Sequence, residues 1–284
     1  MTAAFQADLL AGQSAAAERA ATLEPDAAVT EHAVGNVARA QFHYADAERH
    51  YLRAMQIDPG YPDVREDYAE LLYEVGRLED SLLAARQLVK LDPYFVVGWV
   101  RLRDAAAALD RREEVEEPVR QMRAINPNIV TAKLGLLQYA VAYHRADEAR
   151  AALAEVETRW SKEFELQRQL LPWALGDAVD IHKLREAIAD SPGNDASGYF
   201  VARQDVDGYN TDIESRGAIL QAYYFANLYS SKPAGHAMLR DPRVKAMVVR
   251  YGFPAYWREK GWPSGCRPLG ETDFECGLDT ANAK

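Results

Sequence analysis

The sequence predicts an all-α protein whose first half is a right-handed solenoid of antiparallel helix pairs. Pro25, Pro59, Pro93 and Pro127 lie 34 residues apart, and a proline both ends one helix and separates it from the next. Between these prolines, apolar residues recur every three or four positions, which is typical of amphipathic helices. A fixed period of this kind indicates that each unit buries its apolar face against its neighbours.

The residues around each proline indicate where the helices of one unit begin and end. Three of the prolines follow an aliphatic residue and then Asp or Asn, as in Ile57-Asp58-Pro59. Apolar spacing predicts one helix over 64–74 and a second over 79–91, with a break near Gly76. Small side chains that would let the two helices pack closely recur at the same period: Ala47, Ser81 and Ala149, with Val115 as the exception.

These features resemble the tetratricopeptide repeat, a helix-turn-helix unit of 34 residues. The residues that match the family signature are Trp99 and Leu102 in one unit, Val34 and Gly35 in another, and the closing set Ala47, Tyr51, Ala54 and Pro59. The resemblance implies a domain over residues 1–163, with repeats at 28–61, 62–95, 96–129 and 130–163 and a partial helix before residue 28. We expect Pro118 to distort the second helix of the third repeat.

The period is lost after Ser161, and residues 164–284 are predicted to form an irregular helical cap that seals the end of the array. The predicted elements are a degenerate helical pair at 164–173 and 178–189, a long loop at 191–212 and an apolar, aromatic helix at 213–229. The loop contains the acidic run 205–212. Its spacing does not fit a calcium-binding EF-hand, so a solvated acidic turn is the preferred interpretation.

The tail carries a second resemblance. Residues 240–248 read Arg-Asp-Pro-Arg-Val-Lys-Ala-Met-Val, and a Tyr-Trp-Arg at 256–258 is followed by Gly-Trp-Pro at 261–263. This run is similar to the C-terminal region of bacterial tetratricopeptide repeat proteins fused to winged-helix regulator or adenylate cyclase-type domains. It implies a sensing or docking module of a bacterial regulatory system. No motif of either fused domain occurs in these 284 residues.

Cys266 and Cys276 are the two cysteines of the sequence and allow two interpretations. A disulfide fits a chain that is the periplasmic part of a longer membrane protein, whereas free thiols fit a cytoplasmic protein. The first residues lack the basic start and apolar stretch of a secretory signal, which favours the cytoplasm.

Several classes of function are disfavoured by composition and motifs. The net charge is −10, which argues against direct nucleic-acid binding. The absence of a run of 18 apolar residues predicts no membrane insertion by this chain. The sequence also lacks a phosphate-binding glycine loop and a hydrolase or metalloprotease motif, and its six histidines are scattered. We therefore expect a non-catalytic protein with no cofactor and no metal site.

The family resemblance implies a concave groove lined by the first helix of each repeat, at its second, fifth, sixth, ninth, twelfth and thirteenth residues. Acidic residues concentrate at these positions in the second repeat, where they would repel a bound carboxylate and attract a basic segment. We therefore predict a peptide or protein partner that carries a basic segment. The predicted partner-binding residues are Asn36, Asp63, Glu66, Asp67, Glu70, Tyr73, Glu74 and Arg101.

Two other interpretations of the sequence remain. The acidic run of the second repeat also fits a solvated helix face. Alternatively, the chain is a small-ligand sensor, or a helical enzyme or enzyme accessory, that uses a pocket between solenoid and cap. For the enzyme, the candidate residues in the cap are His182, Asp205 and Asp207.

Overall fold

The computed structural model describes residues 3–157, 164–190, 196–214, 225–229, 233–271 and 273–277. A helix, α1 (Ala3–Leu23), precedes four antiparallel helix pairs whose corresponding members begin 34 residues apart. These pairs are α2 (Ala28–Ala40) with α3 (Tyr44–Ile57), α4 (Pro62–Glu74) with α5 (Leu78–Leu91), α6 (Val96–Ala108) with α7 (Arg112–Ile125), and α8 (Val130–Ala142) with α9 (Ala146–Glu157). The predicted all-α solenoid is confirmed.

The Asp or Asn before the proline has a structural role in the turn between pairs. Asp58, Asp92 and Asn126 each follow the last residue of a second helix and have extended backbone. Each accepts a hydrogen bond at its Oδ1 from the backbone N–H two residues later, at 2.9 Å. This Asx turn reverses the chain while the proline prevents the helix from continuing. The recurring dipeptide is therefore a turn signal.

The turn within each pair uses a left-handed residue at the same period. Its members are Phe42, Gly76, Asp110 and His144, with φ between 53° and 79°. A Cβ at Gly76 would lie 2.9 Å from the Cβ of Pro263 and 3.0 Å from the ring of Tyr229. Glycine at this turn therefore serves both the backbone conformation and the close approach of the C-terminal half.

The interior of the solenoid contains the predicted column of small residues, including Val115 as its predicted exception. Ala47, Ser81 and Ala149 are buried, and Val115 is buried in the same column. The Ser81 hydroxyl donates to the Ala69 carbonyl at 2.7 Å, so its polar group is satisfied between the helices. Pro118, where a distortion is predicted, lies inside α7 and does not shorten it, because α7 spans 14 residues like α3 and α5.

The second half contains short helices and one hairpin. The elements are α10 (Glu165–Ala174), α11 (Ile181–Ala189), α12 (Ser197–Arg203), α13 (Val206–Glu214), a helical segment at 225–229, α14 (Pro233–Met238), α15 (Pro242–Arg250), α16 (Phe253–Lys260), β1 (Cys266–Leu269) and β2 (Asp273–Cys276). The two strands pair antiparallel, with Cys266 opposite Cys276, and these cysteines form a disulfide. Among the described residues, no helix is long and apolar enough to span a bilayer.

The loop predicted over 191–212 is wrong, because α12 and most of α13 lie within it. Tyr199, Phe200 and Tyr209 are buried, and the burial of three aromatic side chains offsets the turn-forming composition of the segment. Asp205 accepts a hydrogen bond from the backbone N–H of Gly208 at 2.9 Å and so stabilises the start of α13. The helix predicted over 213–229 is described only at its two ends, since 215–224 lie outside the described residues.

The second half does more than seal the end of the array. It leaves the fourth pair, where α12 packs on α8, and returns to the first pair, where α16 packs on α3. The Trp257 indole donates to the Val75 carbonyl at 2.8 Å, and the rings of Tyr44 and Phe253 stack at 5.0 Å. The largest hydrophobic cluster accordingly joins residues of the first, second and fourth pairs to the C-terminal helices.

Candidate partner-binding groove

The groove-lining face of the solenoid is open at one end of its helices and closed at the other. The second residue of the first helix is exposed in all four pairs: Val29, Asp63, Val97 and Thr131. The thirteenth residue is buried in all four pairs: Ala40, Glu74, Ala108 and Ala142. A partner can therefore reach this face only near the N-terminal ends of α2, α4, α6 and α8, a surface that we call the open lip.

The closed end is covered by the C-terminal half of the chain. Ala226 packs in one hydrophobic cluster with Tyr73, Leu78 and Ala108, at the C-terminal ends of α4 and α6 and the start of α5. Tyr73 is 9% exposed as a result. An intramolecular contact therefore already covers Tyr73, one of the residues predicted to bind a partner.

Beneath the open lip, the predicted acidic residues belong to an ionic network centred on Arg39 of α2. The Arg39 guanidinium binds Glu74 at 2.9 and 2.5 Å, Glu70 at 2.6 Å and Asp67 at 3.1 Å. The Arg39 side chain is 4% exposed, and that of Glu74 is fully buried. Glu74 is thus corrected from a partner contact to a buried structural carboxylate. We did not predict Arg39 as a site residue, although it occupies a groove-lining position.

Arg101 of α6 binds the other side of the acidic cluster. Its guanidinium pairs with Glu66 and lies 2.6 Å from Glu70. Glu70 therefore bridges Arg39 and Arg101, and one carboxylate links the first, second and third helix pairs. The side chains of Glu66, Glu70 and Arg101 are 13–14% exposed, so this part of the network forms a narrow charged floor below the open lip.

A second branch of the network runs through His32. Its Nε2 lies 2.6 Å from the Asp67 carboxylate, and its Nδ1 lies 2.9 Å from the Tyr61 hydroxyl. The amide of Asn36 is also used internally: the Tyr51 hydroxyl donates to its Oδ1 at 2.5 Å, and its Nδ2 is 3.2 Å from His32 Nε2. Partner binding by Asn36, as predicted from the sequence, would compete with these contacts.

The network sets the ionisation of its carboxylates in different directions. Burial acts to raise the pKa of Asp67, but the hydrogen bond to His32 and the charge of Arg39 outweigh it and hold that pKa below its usual range. For Glu66, burial outweighs the attraction of Arg101 and raises the pKa. Burial likewise raises the pKa of Glu74 to about 7 against the opposing charge of Arg39. The most exposed of these three carboxylates is therefore the most strongly acidic.

Glu66, Asp67 and Glu70 bring one oxygen each within 4.8 Å of one another, a spacing at which three carboxylates can hold a metal ion. Their oxygens already bind Arg39, Arg101 and His32. A metal ion would have to displace a guanidinium group from this cluster. The chemistry of the arrangement therefore favours charge recognition over metal binding.

The structure brings six of the eight predicted residues into one network and separates the other two. Asn36, Glu66, Asp67, Glu70 and Arg101 meet beneath the open lip. Glu74 joins the same network from its buried side, so only Asp63, exposed on the lip itself, and Tyr73, which is covered, stand outside it. Sequence reasoning missed Arg39, His32 and Tyr51 as members of this network. Opposite charges one repeat apart were the available signal, since Arg39–Glu74, His32–Asp67 and Arg101–Glu66 are each separated by 35 residues.

The residues proposed for an enzyme in the cap have local partners in the structure. Asp205 hydrogen-bonds the start of α13 and lies 3.6 Å from Arg185, while Asp207 binds Arg243 at 2.5 Å. His182 is exposed in the first turn of α11. These contacts account for the two aspartates as structural groups.

Comparison with known proteins agrees with this geometry. Residues 38–94, which extend from the end of α2 to the turn after α5, match the family model described as tetratricopeptide repeat. The fold is similar to the crystal structure of a tetratricopeptide repeat protein from Parabacteroides merdae. That match has a TM-score of 0.59 and 15% sequence identity, and covers 87% of this chain and 93% of the other. No curated protein matches the chain.

Proposed function

We propose that this chain, a protein built on tetratricopeptide repeats, binds an extended segment of a protein partner along the open lip. Tetratricopeptide repeats serve as scaffolds for protein–protein interaction, and repeat solenoids use extended concave surfaces for this purpose. The observation that carries the proposal is the exposure of Val29, Asp63, Val97 and Thr131 at equivalent positions of four consecutive pairs. This row provides alternating apolar and polar contacts at the mouth of the groove.

The charge of the lip and its floor favours a partner segment with Lys or Arg. Asp63, Glu66, Asp67 and Glu70 lie at or just below the surface, and Arg101 is the one arginine that shares their level of exposure among the described residues of this face. Arg39 lies deeper and divides its charge with the buried Glu74. The excess negative charge would attract a cation and raise its association rate. Val29 and Val97 would pack against the apolar part of the same segment.

The biological setting belongs to the same proposal. The tail sequences at 240–248 and 256–263 resemble those of bacterial regulators, which supports a non-catalytic docking or sensing role in a bacterial regulatory system. The Cys266–Cys276 disulfide supports an oxidising compartment such as the periplasm over the cytoplasm. On this view the chain recognises a partner and transmits that event without chemistry of its own.

The test is a selection of peptides from a displayed random library on the purified full-length chain. We expect enrichment of peptides that combine Lys or Arg with aliphatic residues. The variant carrying Asp63→Lys and Val97→Asp changes two exposed lip residues and leaves the ionic network intact, so it should lose at least about tenfold in affinity for the selected peptides. The variant Glu113→Lys, which alters an exposed acid of α7, is the matched control and should bind like the wild type.

Two outcomes would contradict the proposal. Selected peptides that are predominantly acidic would show that the negative charge of the lip does not choose the ligand. Unchanged affinity in the lip variant would place the binding surface elsewhere. Charge reversal at Asp67 or Glu70 is not suitable for this test, since these residues bind the buried Arg39 and their loss would disturb folding.

A further inference from the structure

A cleft of about 820 Å³ lies between the solenoid and the C-terminal half, away from the open lip. It is lined by the turns that lead into α5 and α7, by α14 and the residues that follow it, and by the segment between α16 and β1. Its volume lies in the range of small-molecule sites. We call it the inter-half cleft.

The inter-half cleft is basic although the chain as a whole is acidic. Its lining includes four cationic side chains, Arg77, Arg111, Arg240 and Lys260, and two carboxylates, Glu79 and Asp80. The lining therefore holds two more cations than carboxylates, although Glu48 and Glu259, which lie outside the lining, pair with some of these cations. A concentration of one sign of charge in a concave site attracts ligands of the other sign.

The cations of the cleft differ in how far they are neutralised. Arg111 binds both oxygens of Glu79, at 2.6 and 2.7 Å, and Arg77 binds Asp80 at 2.7 Å and Glu48 at 2.9 Å. Lys260 is more loosely paired, at 3.2 Å from Glu259 and 3.7 Å from Glu48. Arg240 instead donates to the backbone carbonyl of Gly277 at 2.9 Å, and no carboxylate of the described residues lies within ion-pairing distance of it. Arg240 is therefore held in place by a neutral group, and its charge is available to a ligand.

His236 adds an unsatisfied polar atom to the same wall. Its Nε2 is buried and has no hydrogen-bond partner among the described residues. Burial, followed by the charge of Arg240, lowers the pKa of the ring, while a backbone hydrogen bond to Tyr229 opposes that shift. Because this atom is buried, a ligand in the cleft would reach it only after a movement of the ring, and Arg240 is the accessible polar group of this wall.

The remaining walls of the cleft are apolar. Trp262 and Pro263 lie on one side, and Leu78 and Leu109 lie on the other. Apolar walls with a few convergent polar groups are typical of sites for small organic ligands. Free inorganic ions alone would leave these walls unused.

We infer that the inter-half cleft binds a small organic anion, with its phosphate or carboxylate group on Arg240 and Lys260 and its apolar body against Trp262. This inference does not depend on the open lip, and it gives chemical content to the ligand-sensing alternative raised by the sequence. Because the cleft walls come from both halves of the chain, the bound anion would strengthen the contact between them.

Isothermal titration calorimetry of the full chain at low salt tests this inference, with phenyl phosphate and benzoate as probes and phenol as the neutral control. We expect at least one anion to bind with a dissociation constant below about 1 mM, and phenol to bind far more weakly. Arg240→Gln should weaken binding about tenfold or more. Lys260→Gln should also weaken anion binding, and this variant provides the test if Arg240→Gln fails to fold. Arg250→Gln, which removes an exposed arginine outside the cleft, should have no effect.

The inference is overturned if neither anion binds better than phenol, or if both cleft variants bind like the wild type. The lip variant Asp63→Lys with Val97→Asp should bind the probe normally. Loss of peptide binding and loss of anion binding are therefore separate results, and failure of one proposal leaves the other to be judged by its own variants.

Discussion

The two halves of the chain are held together by contacts of very different range. In the helix pairs, the principal ion pairs reach one repeat along the sequence, as between Arg39 and Glu74, which are 35 residues apart. In the C-terminal half, the Trp257 indole binds a carbonyl 182 residues away, and Tyr256 contacts Glu48 across 208 residues. The first half is therefore specified by its period, whereas the second half depends on the first for its packing surface.

This difference explains the chemistry of each half. A repeating unit can satisfy charged groups against the next unit, so the pairs contain a buried ionic network at Arg39. The second half meets the pairs through aromatic side chains, among them Phe253 against Tyr44 and Tyr251 against Phe42. Large apolar rings stabilise a contact without a repeated partner, because their burial is not directional.

The largest effect is expected where the second half meets the first. Trp257→Ala should lower the free energy of unfolding by about 3–5 kcal/mol, since it removes a fully buried indole and its bond to the Val75 carbonyl. Urea denaturation followed by circular dichroism measures this loss. Tyr94→Ala, at a residue that is 80% exposed, should change stability by less than about 0.5 kcal/mol. A loss below about 1 kcal/mol at Trp257 would mean that the two halves are not stabilised by this contact.

A smaller loss is expected within the pairs. Arg39→Met should cost about 3 kcal/mol, because it leaves Glu74 buried without its cation. The double variant Arg39→Met with Glu74→Leu removes both charges and should recover most of that loss, as measured by the same urea denaturation. If the double variant is as unstable as the single one, the cost arises from lost packing and the ionic account of the network is wrong.

The smallest effect is expected at the left-handed turn that both halves share. Gly76→Ala should cost about 1–3 kcal/mol by thermal unfolding, since alanine is strained at φ 79° and its Cβ would meet Pro263. His144→Gly, at the equivalent turn of the fourth pair, replaces an exposed left-handed residue and should stabilise the chain by less than about 1 kcal/mol. If the two variants change the free energy of unfolding by equal and opposite amounts, backbone strain alone accounts for both effects. Pro263 would then have moved aside to accommodate the new Cβ.

The sequence was sufficient for the solenoid because each of its signals is local. The proline at period 34 and the Asp or Asn before it determine the turn between pairs, and apolar spacing determines the helices. The helices at 197–203 and 206–214 were missed because Gly, Asn and Asp dominate that segment. Their stability comes from burial of Tyr199 and Tyr209 against distant parts of the chain, which local composition does not reveal.

The groove residues were predicted correctly as a face and incorrectly as a set of exposed contacts. The repeat register places Tyr73 and Glu74 on the concave side, but only the structure shows that Ala226 covers the first and that Arg39 buries the second. Ala226 lies far from Tyr73 in the sequence, so the residues of the repeat itself give no signal that Tyr73 is covered. The ionic partners were open to prediction, because opposite charges one repeat apart face each other across adjacent first helices.

The return of the second half to the first pair has a mechanical consequence. In a solenoid whose units contact only their neighbours, small rotations at every interface can add up to a change in overall length and curvature. Here α12 packs on the fourth pair and α16 packs on the first, so the C-terminal half connects the two ends of the row of helix pairs. We expect this connection to restrict the curvature of the open lip. A change in how the C-terminal half packs would then change the distance between Val29 and Thr131.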